Sequence, residues 1–252
     1  MEVESGQRYL TRACPPVGWK PGDLCLVRHI PFVSHVTLSS RWDHIWLNEG
    51  FASYFEYIGI EAIYDKSFVW QMFFYNDQTR SMNEESTVRR IKENTTVPET
   101  RVIRTYKEID DMFDWRVYNR GASMLHILRS MLGDEFFFSS VTNYFKENEY
   151  SSAVSRDLWK HLEEPAKKSG LLDAVNMTMQ NMMEIWVNNS GFPEVNIVRN
   201  YERNTVTVYQ YRLQWNWTRS GSEETSMLWP LWLTYHSPGG AIGATGGKLL
   251  PA

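Results

Sequence analysis

The residue in this sequence best placed to do chemistry is Glu49, set in the run Trp46-Leu47-Asn48-Glu49-Gly50-Phe51-Ala52. A glutamate among apolar and aromatic neighbours is costly to bury unless a partner or a metal ion neutralises it. Residue types alone leave two readings open: a carboxylate turned to solvent on an amphipathic helix, or one recruited to a site. Composition does not choose between them.

Three blocks carry more information. The segment from Trp46 to Tyr57, WLNEGFASYFEY, resembles the stretch that supplies the third zinc ligand in gluzincin aminopeptidases, the aminopeptidase N family. Tyr118-Asn119-Arg120-Gly121-Ala122 resembles that family's Tyr-x-Lys/Arg-Gly-Ala. Trp186-Val187-Asn188-Asn189-Ser190-Gly191-Phe192-Pro193 resembles its Trp-x-x-x-x-Gly-Phe-Pro, where helices give way to a β-sandwich. Order and separation agree, and the likeness covers roughly residues 34 to 235.

The resemblance implies a single zinc ion held by the two histidines of HExxH and by a downstream glutamate. Three protein ligands leave a fourth position for water, as a catalytic zinc requires. By the same resemblance Glu49 matches the third metal ligand, and Tyr118 matches the catalytic tyrosine that stabilises the oxyanion of the peptide carbonyl. The implied reaction is release of N-terminal amino acids, and the implied partners are peptides with a free N-terminus.

The departures are equally specific. None of the six histidines (His29, His35, His44, His126, His161, His236) is followed by Glu, so HExxH is absent from these 252 residues. The Gly-x-Met-Glu-Asn block that grips the substrate amino group is absent too. Counting back from Glu49 at the family's spacing puts the second histidine at Ile30. The Val36-Thr37 pair sits one residue early, and allowing for that places His29 at the second ligand, Cys25 at the first and Leu26 at the general base. Thiolate and imidazole both bind zinc. Yet Pro21-Gly22 and Pro31 bracket the segment and leave room for one or two helical turns, and Leu26 cannot act as a base. Residues 1–33 therefore read as unrelated sequence joined where HExxH belongs, and the chain by itself is expected to be inactive, with zinc not retained. The alternative is a non-catalytic product, a truncated isoform, pseudoenzyme or incomplete gene model, acting through protein contacts.

Other candidates read as structural. His44 lies five positions before Glu49, off its helical face, and is expected on the surface. His126 sits in an apolar helix and is expected to pack. The acidic run Glu108–Asp114 reads as a solvated loop.

The elements that must position Glu49 and Tyr118 follow from periodicity. Ser40 and Asp43 form a capping-box-like start to one long helix from Trp42 to about Tyr64, softened at Gly50 and Gly59. Helices are predicted over 66–82, on GASMLHILRSML up to Gly133, and over 135–147, 154–166 and 173–187. After Pro193 the period switches to that of strands, with turn residues at 200–204 and a further strand over 227–235. The fold class is thus mainly α: the helical C-terminal half of a thermolysin-like catalytic domain, then the first strands of a β-sandwich. Residues 1–38 form an atypical, poorly ordered segment, 39–190 the helical part, 191–236 the start of the β-domain and 237–252 a Gly-rich disordered tail.

Bulk properties bound the function further. Aromatic residues make up 14% of the chain, too many for a disordered protein. A net charge of −4 supplies no field for nucleic acid. With only Cys14 and Cys25 there is no disulfide framework. No stretch reaches the length of a bilayer span, and the acidic N-terminus is no signal peptide, so any membrane anchor is expected outside this chain. Sequons at Asn94, Asn176, Asn188 and Asn216 lean toward a cell-surface or extracellular glycoprotein.

Overall fold

A computed structural model describes residues 37–39, 42–84, 105–173, 175–189, 191–212, 228–236 and 245–250. Strand β1 (Thr37–Ser39) leads through a 3₁₀ turn at Trp42–His44 into helix α1 (Ile45–Glu61). His44 at the start of α1 makes no side-chain cap, and the expected capping box falls on Ser40, outside the described residues. The hold on α1 is packing: Trp46, Leu47, Phe51, Tyr54, Phe55 and Ile58 are all buried. The helix runs unbroken through Gly50 and Gly59.

Helix α2 (Lys66–Phe73) begins at Asp65, whose carboxylate accepts from the Phe68 amide at 3.1 Å. It passes into a π turn at Phe74–Gln78, and helical turns continue to residue 84. The acidic run predicted as loop instead opens as helix α3 (Tyr106–Asp110), closed by a Thr105–Glu108 capping box. The Thr105 hydroxyl and Glu108 carboxylate satisfy first-turn amides that the run's charge pattern does not reveal.

A second π turn, Arg116–Arg120, feeds helix α4 (Gly121–Leu132), which stops at Gly133 with φ of 79°. Helix α5 (Asp134–Glu147), strand β2 (Ser151–Ala153) and helix α6 (Ser155–Lys168) follow. Strand β2 lies parallel to β1, with Thr37 opposite Ser151. Helix α7 (Met179–Asn188) starts later than predicted, because the Thr178 hydroxyl caps it by accepting from the Asn181 amide at 3.1 Å.

One apolar core joins these helices. Trp46 stacks on Trp159 with centroids 5.9 Å apart, Phe51 on Tyr144 at 6.1 Å, and Tyr54 meets Phe73 and Phe137 edge-on. His126 packs in it as expected, stacked 4.8 Å from Trp70, with its Nδ1 3.3 Å from the Tyr54 hydroxyl.

Two antiparallel hairpins close the described chain. The first pairs β3 (Pro193–Asn200) with β4 (Thr205–Arg212), and the second pairs β5 (Leu231–His236) with β6 (Thr245–Leu250). Strand β6 corrects the expectation of a disordered tail for those six residues. Leu249 and Leu250 face Trp232 and Leu231 in register, and Leu249 is buried, so two leucines outweigh the glycines before them. The remaining tail lies outside the described residues, as do residues 1–36; Thr37 and Leu38 are already strand.

Candidate functional site

The three sequence blocks converge through tertiary contacts. Helices α1 and α4 cross at Gly50 and Gly121, where a Cβ on Gly50 would fall 2.9 Å from the Gly121 Cα. Backbones that close bring Glu49, one residue before the crossing, against Tyr118, three residues before Gly121. The Tyr118 phenol and the Glu49 carboxylate face each other there, close enough for each to act on the other's proton affinity. Both side chains are half-buried. Burial pushes the Glu49 carboxyl above its ordinary range, and the Tyr118 hydroxyl offsets part of that rise. Burial also raises the Tyr118 phenol, and the Glu49 carboxylate raises it further.

Tyr118 stands on a π turn, a geometry that recurs at functional sites because it displaces a side chain from the regular helical face. The turn is anchored on both flanks. Asn119 Nδ2 donates to Asp77 Oδ1 at 2.8 Å. Arg120 donates to the carbonyls of Trp186 at 2.7 Å and Asn189 at 2.5 Å, which ties the second sequence block to the third. At the turn's start the Asp114 carboxylate accepts from the Arg116 amide at 2.9 Å and pairs with its guanidinium. Trp186 then reaches the sheet region, its Nε1 donating to the Pro230 carbonyl at 3.0 Å.

Beside the Glu49–Tyr118 pair, Ser53, Tyr57, Asp77 and Asn119 line an open polar groove of about 580 Å³. Asp77 was not a sequence candidate. The signal was there: Val69, Phe73 and Asp77 recur at four-residue intervals, and all three are buried. A carboxylate on an apolar stripe requires donors.

His44 is a correction. It is half-buried, not on the surface, and its Nδ1 lies 3.0 Å from the Ser155 hydroxyl, which also accepts from Trp46 Nε1 at 3.1 Å. The 3₁₀ turn before α1 rotates it off the helical register from which its position was inferred. Cys25, Leu26 and His29 lie outside the described residues. Among the described residues, no three His, Cys, Asp or Glu side chains gather in metal-binding reach. Glu49 suits a cation chemically, since its partly desolvated charge gains from one; by itself it is one ligand of a set.

A helical scaffold thus holds a paired carboxylate and phenol near a polar groove. Comparison with known proteins makes the class definite. Residues 27–186 match the peptidase family M1 domain, a span that begins ahead of the region where the resemblance is evident by motif. Similar proteins include human aminopeptidase Q, 32% identical over 173 residues that make up 68% of this chain and 17% of that protein. A leucyl aminopeptidase of Saccharolobus solfataricus is 30% identical over 67% of this chain and 20% of its own length. Glutamyl aminopeptidase of Bos taurus is 33% identical over 62% of this chain and 15% of its own. The chain belongs to the peptidase M1 family, that of aminopeptidase N. It spans a fifth or less of the length of these relatives.

Proposed function

We propose that this chain carries the C-terminal half of the catalytic domain of a zinc metallo-aminopeptidase, which releases N-terminal residues from peptides. The observation that carries the proposal is the pairing of Tyr118 with Glu49 across the close α1–α4 crossing. Glu49 would be a zinc ligand. Zinc bound there supplies Lewis-acid polarisation and an activated water. Tyr118, paired with that carboxylate, would turn its hydroxyl toward the oxyanion of a peptide carbonyl. The groove beyond it offers polar side chains to an extended substrate backbone.

The chain holds two of the five groups this chemistry requires, Glu49 and Tyr118. With no HExxH at the position counted from Glu49, a general base and two ligands are missing. We therefore expect the purified chain neither to bind stoichiometric zinc nor to hydrolyse an aminoacyl reporter. Metal analysis with a reporter assay tests this. Stoichiometric zinc together with turnover abolished by Tyr118→Phe would reverse the inactive assignment while leaving the site assignment intact.

A second reading, a scaffold acting through protein contacts, draws on the first hairpin. Ile197, Val198, Val206, Tyr209 and Tyr211 are exposed there, and a two-stranded hairpin is marginal in water without a partner. Monodisperse monomer at micromolar concentration would count against it. Cell-surface or extracellular placement is supported by relatives such as the thyrotropin-releasing hormone-degrading ectoenzyme of Rattus norvegicus and by exposed sequon residues Asn176 and Asn188. No described helix is long and apolar enough to cross a membrane.

A further inference from the structure

The Asp77 carboxylate is buried, 5% exposed, on the π turn that continues α2. It stands where two elements meet. Asn119 Nδ2 donates to it at 2.8 Å, and the Tyr57 phenol of α1 lines the same groove, its proton affinity raised by burial and then by this carboxylate. Asn119 directly follows Tyr118. Tyr57 lies on α1 with Glu49, about 12 Å further along the helix at 1.5 Å per residue. One carboxylate therefore sits between the helix that carries Glu49 and the turn that carries Tyr118.

That placement matters because a π turn has poorer internal hydrogen bonding than an α-helix and persists only where its surroundings hold it. The glycine crossing sets how close the two backbones come. It does not set how far the Tyr118 turn rotates or slides along α1. Arg120 fixes the turn's far flank to α7, away from Glu49. The Asn119–Asp77 bond, with Tyr57 beside it, is a second polar link from this turn back to Glu49's own helix.

We propose that Asp77 is a positioning residue, which holds Tyr118 against Glu49 by fixing Asn119 beside Tyr57 of α1. The proposal rests on the reading of Glu49 and Tyr118 given above, but it concerns geometry that exists without metal or substrate.

The test uses the intact chain with tyrosine labelled by ¹³C at Cζ, at a single neutral pH. The Tyr118 resonance is identified by its loss in Tyr118→Phe, and Glu49→Gln shows how far the signal moves when the carboxylate bond is altered. Asp77→Ala and Asn119→Ala should displace the Tyr118 signal in the same direction as Glu49→Gln. Asp77→Asn, which keeps one oxygen acceptor, should displace it less. If Asp77→Ala does not fold, Asn119→Ala and Asp77→Asn still decide the matter. A Tyr118 signal unmoved in those two variants, while Glu49→Gln displaces it, overturns the positioning role, whatever stability they lose. A signal unmoved by Glu49→Gln itself overturns the Glu49–Tyr118 pair, and with it both this inference and the site assignment.

Discussion

Gly50 and Gly121 touch backbone to backbone, with a Cβ built on Gly121 only 3.0 Å from the Gly50 Cα and 3.1 Å from the Trp46 carbonyl. The obstructing atoms are main chain, so no side chain can swing aside to make room. Each glycine sits inside or at the start of a helix, where it costs about 1 kcal/mol relative to alanine. The close approach of α1 and α4 explains why that cost is tolerated, and it is what places Glu49 against Tyr118.

Gly121→Ala should therefore destabilise despite its better helix propensity. Overpacking that main chain must absorb costs about 1–3 kcal/mol. Urea unfolding monitored by tryptophan fluorescence measures the loss, and a midpoint at or above wild type would contradict the tight crossing.

Stability should fall on mild acidification because of His126. Burial, and secondarily the Arg129 charge, lowers this imidazole from 6.5 to about 4. Below pH 6.5 the unfolded chain takes up a proton that the folded chain refuses, so stability declines until the folded value is reached. The decline amounts to at most about 3 kcal/mol at 1.36 kcal/mol per unit. Chemical unfolding at pH 7 and pH 4.5, for wild type and His126→Gln, should show a shallower decline in the variant.

A second, more acidic loss belongs to Asp134. Its hydrogen bond from Arg129 holds the carboxyl below its ordinary value of 3.8, with Lys66 adding a smaller effect. Its contribution is present above 3.8 and disappears as pH falls through the lower folded value. Asp134→Asn should remove that low-pH loss and leave the His126 window unchanged, which the same unfolding series can resolve.

Arg129 itself is nearly enclosed, with 8% of its side chain exposed. It lies 3.5 Å from Glu61 and 2.7 Å from Asp134, with its guanidinium 5.0 Å from the Trp70 and Phe138 ring centres. Arg129→Met would leave Glu61 only the exposed Lys66, 3.3 Å away, as a cation and should cost about 3 kcal/mol. The double variant with Glu61→Gln should recover part of that loss, and strict additivity of the two would argue against a direct pair.

Asn176 is exposed, adopts a φ of 49° in the turn before α7, and is followed by the capping Thr178. If the chain passes through a secretory pathway, Asn176 should acquire a glycan. Expression in a secreting eukaryotic cell should then give a mass increase that a glycan-cleaving amidase and Asn176→Gln each abolish.

The sequence by itself determined the family and most of the helices, and it singled out Glu49 and Tyr118 as site candidates. The three blocks are long and specific, and an apolar stripe at helical period allows few other structures. It could not decide how local polar groups settle. Asp77 read as part of an ordinary helix and Glu108–Asp114 as loop, because capping and bridging depend on which donors lie nearby in space. Nor could it anticipate that Leu249 and Leu250 would find Trp232 and Leu231 across a hairpin. The tertiary structure alone decided that Glu49 meets Tyr118. That contact depends on two backbones approaching at Gly50 and Gly121, beside a turn whose Asn119 is held by the buried Asp77 carboxylate, neither of which is encoded in the local pattern of either segment.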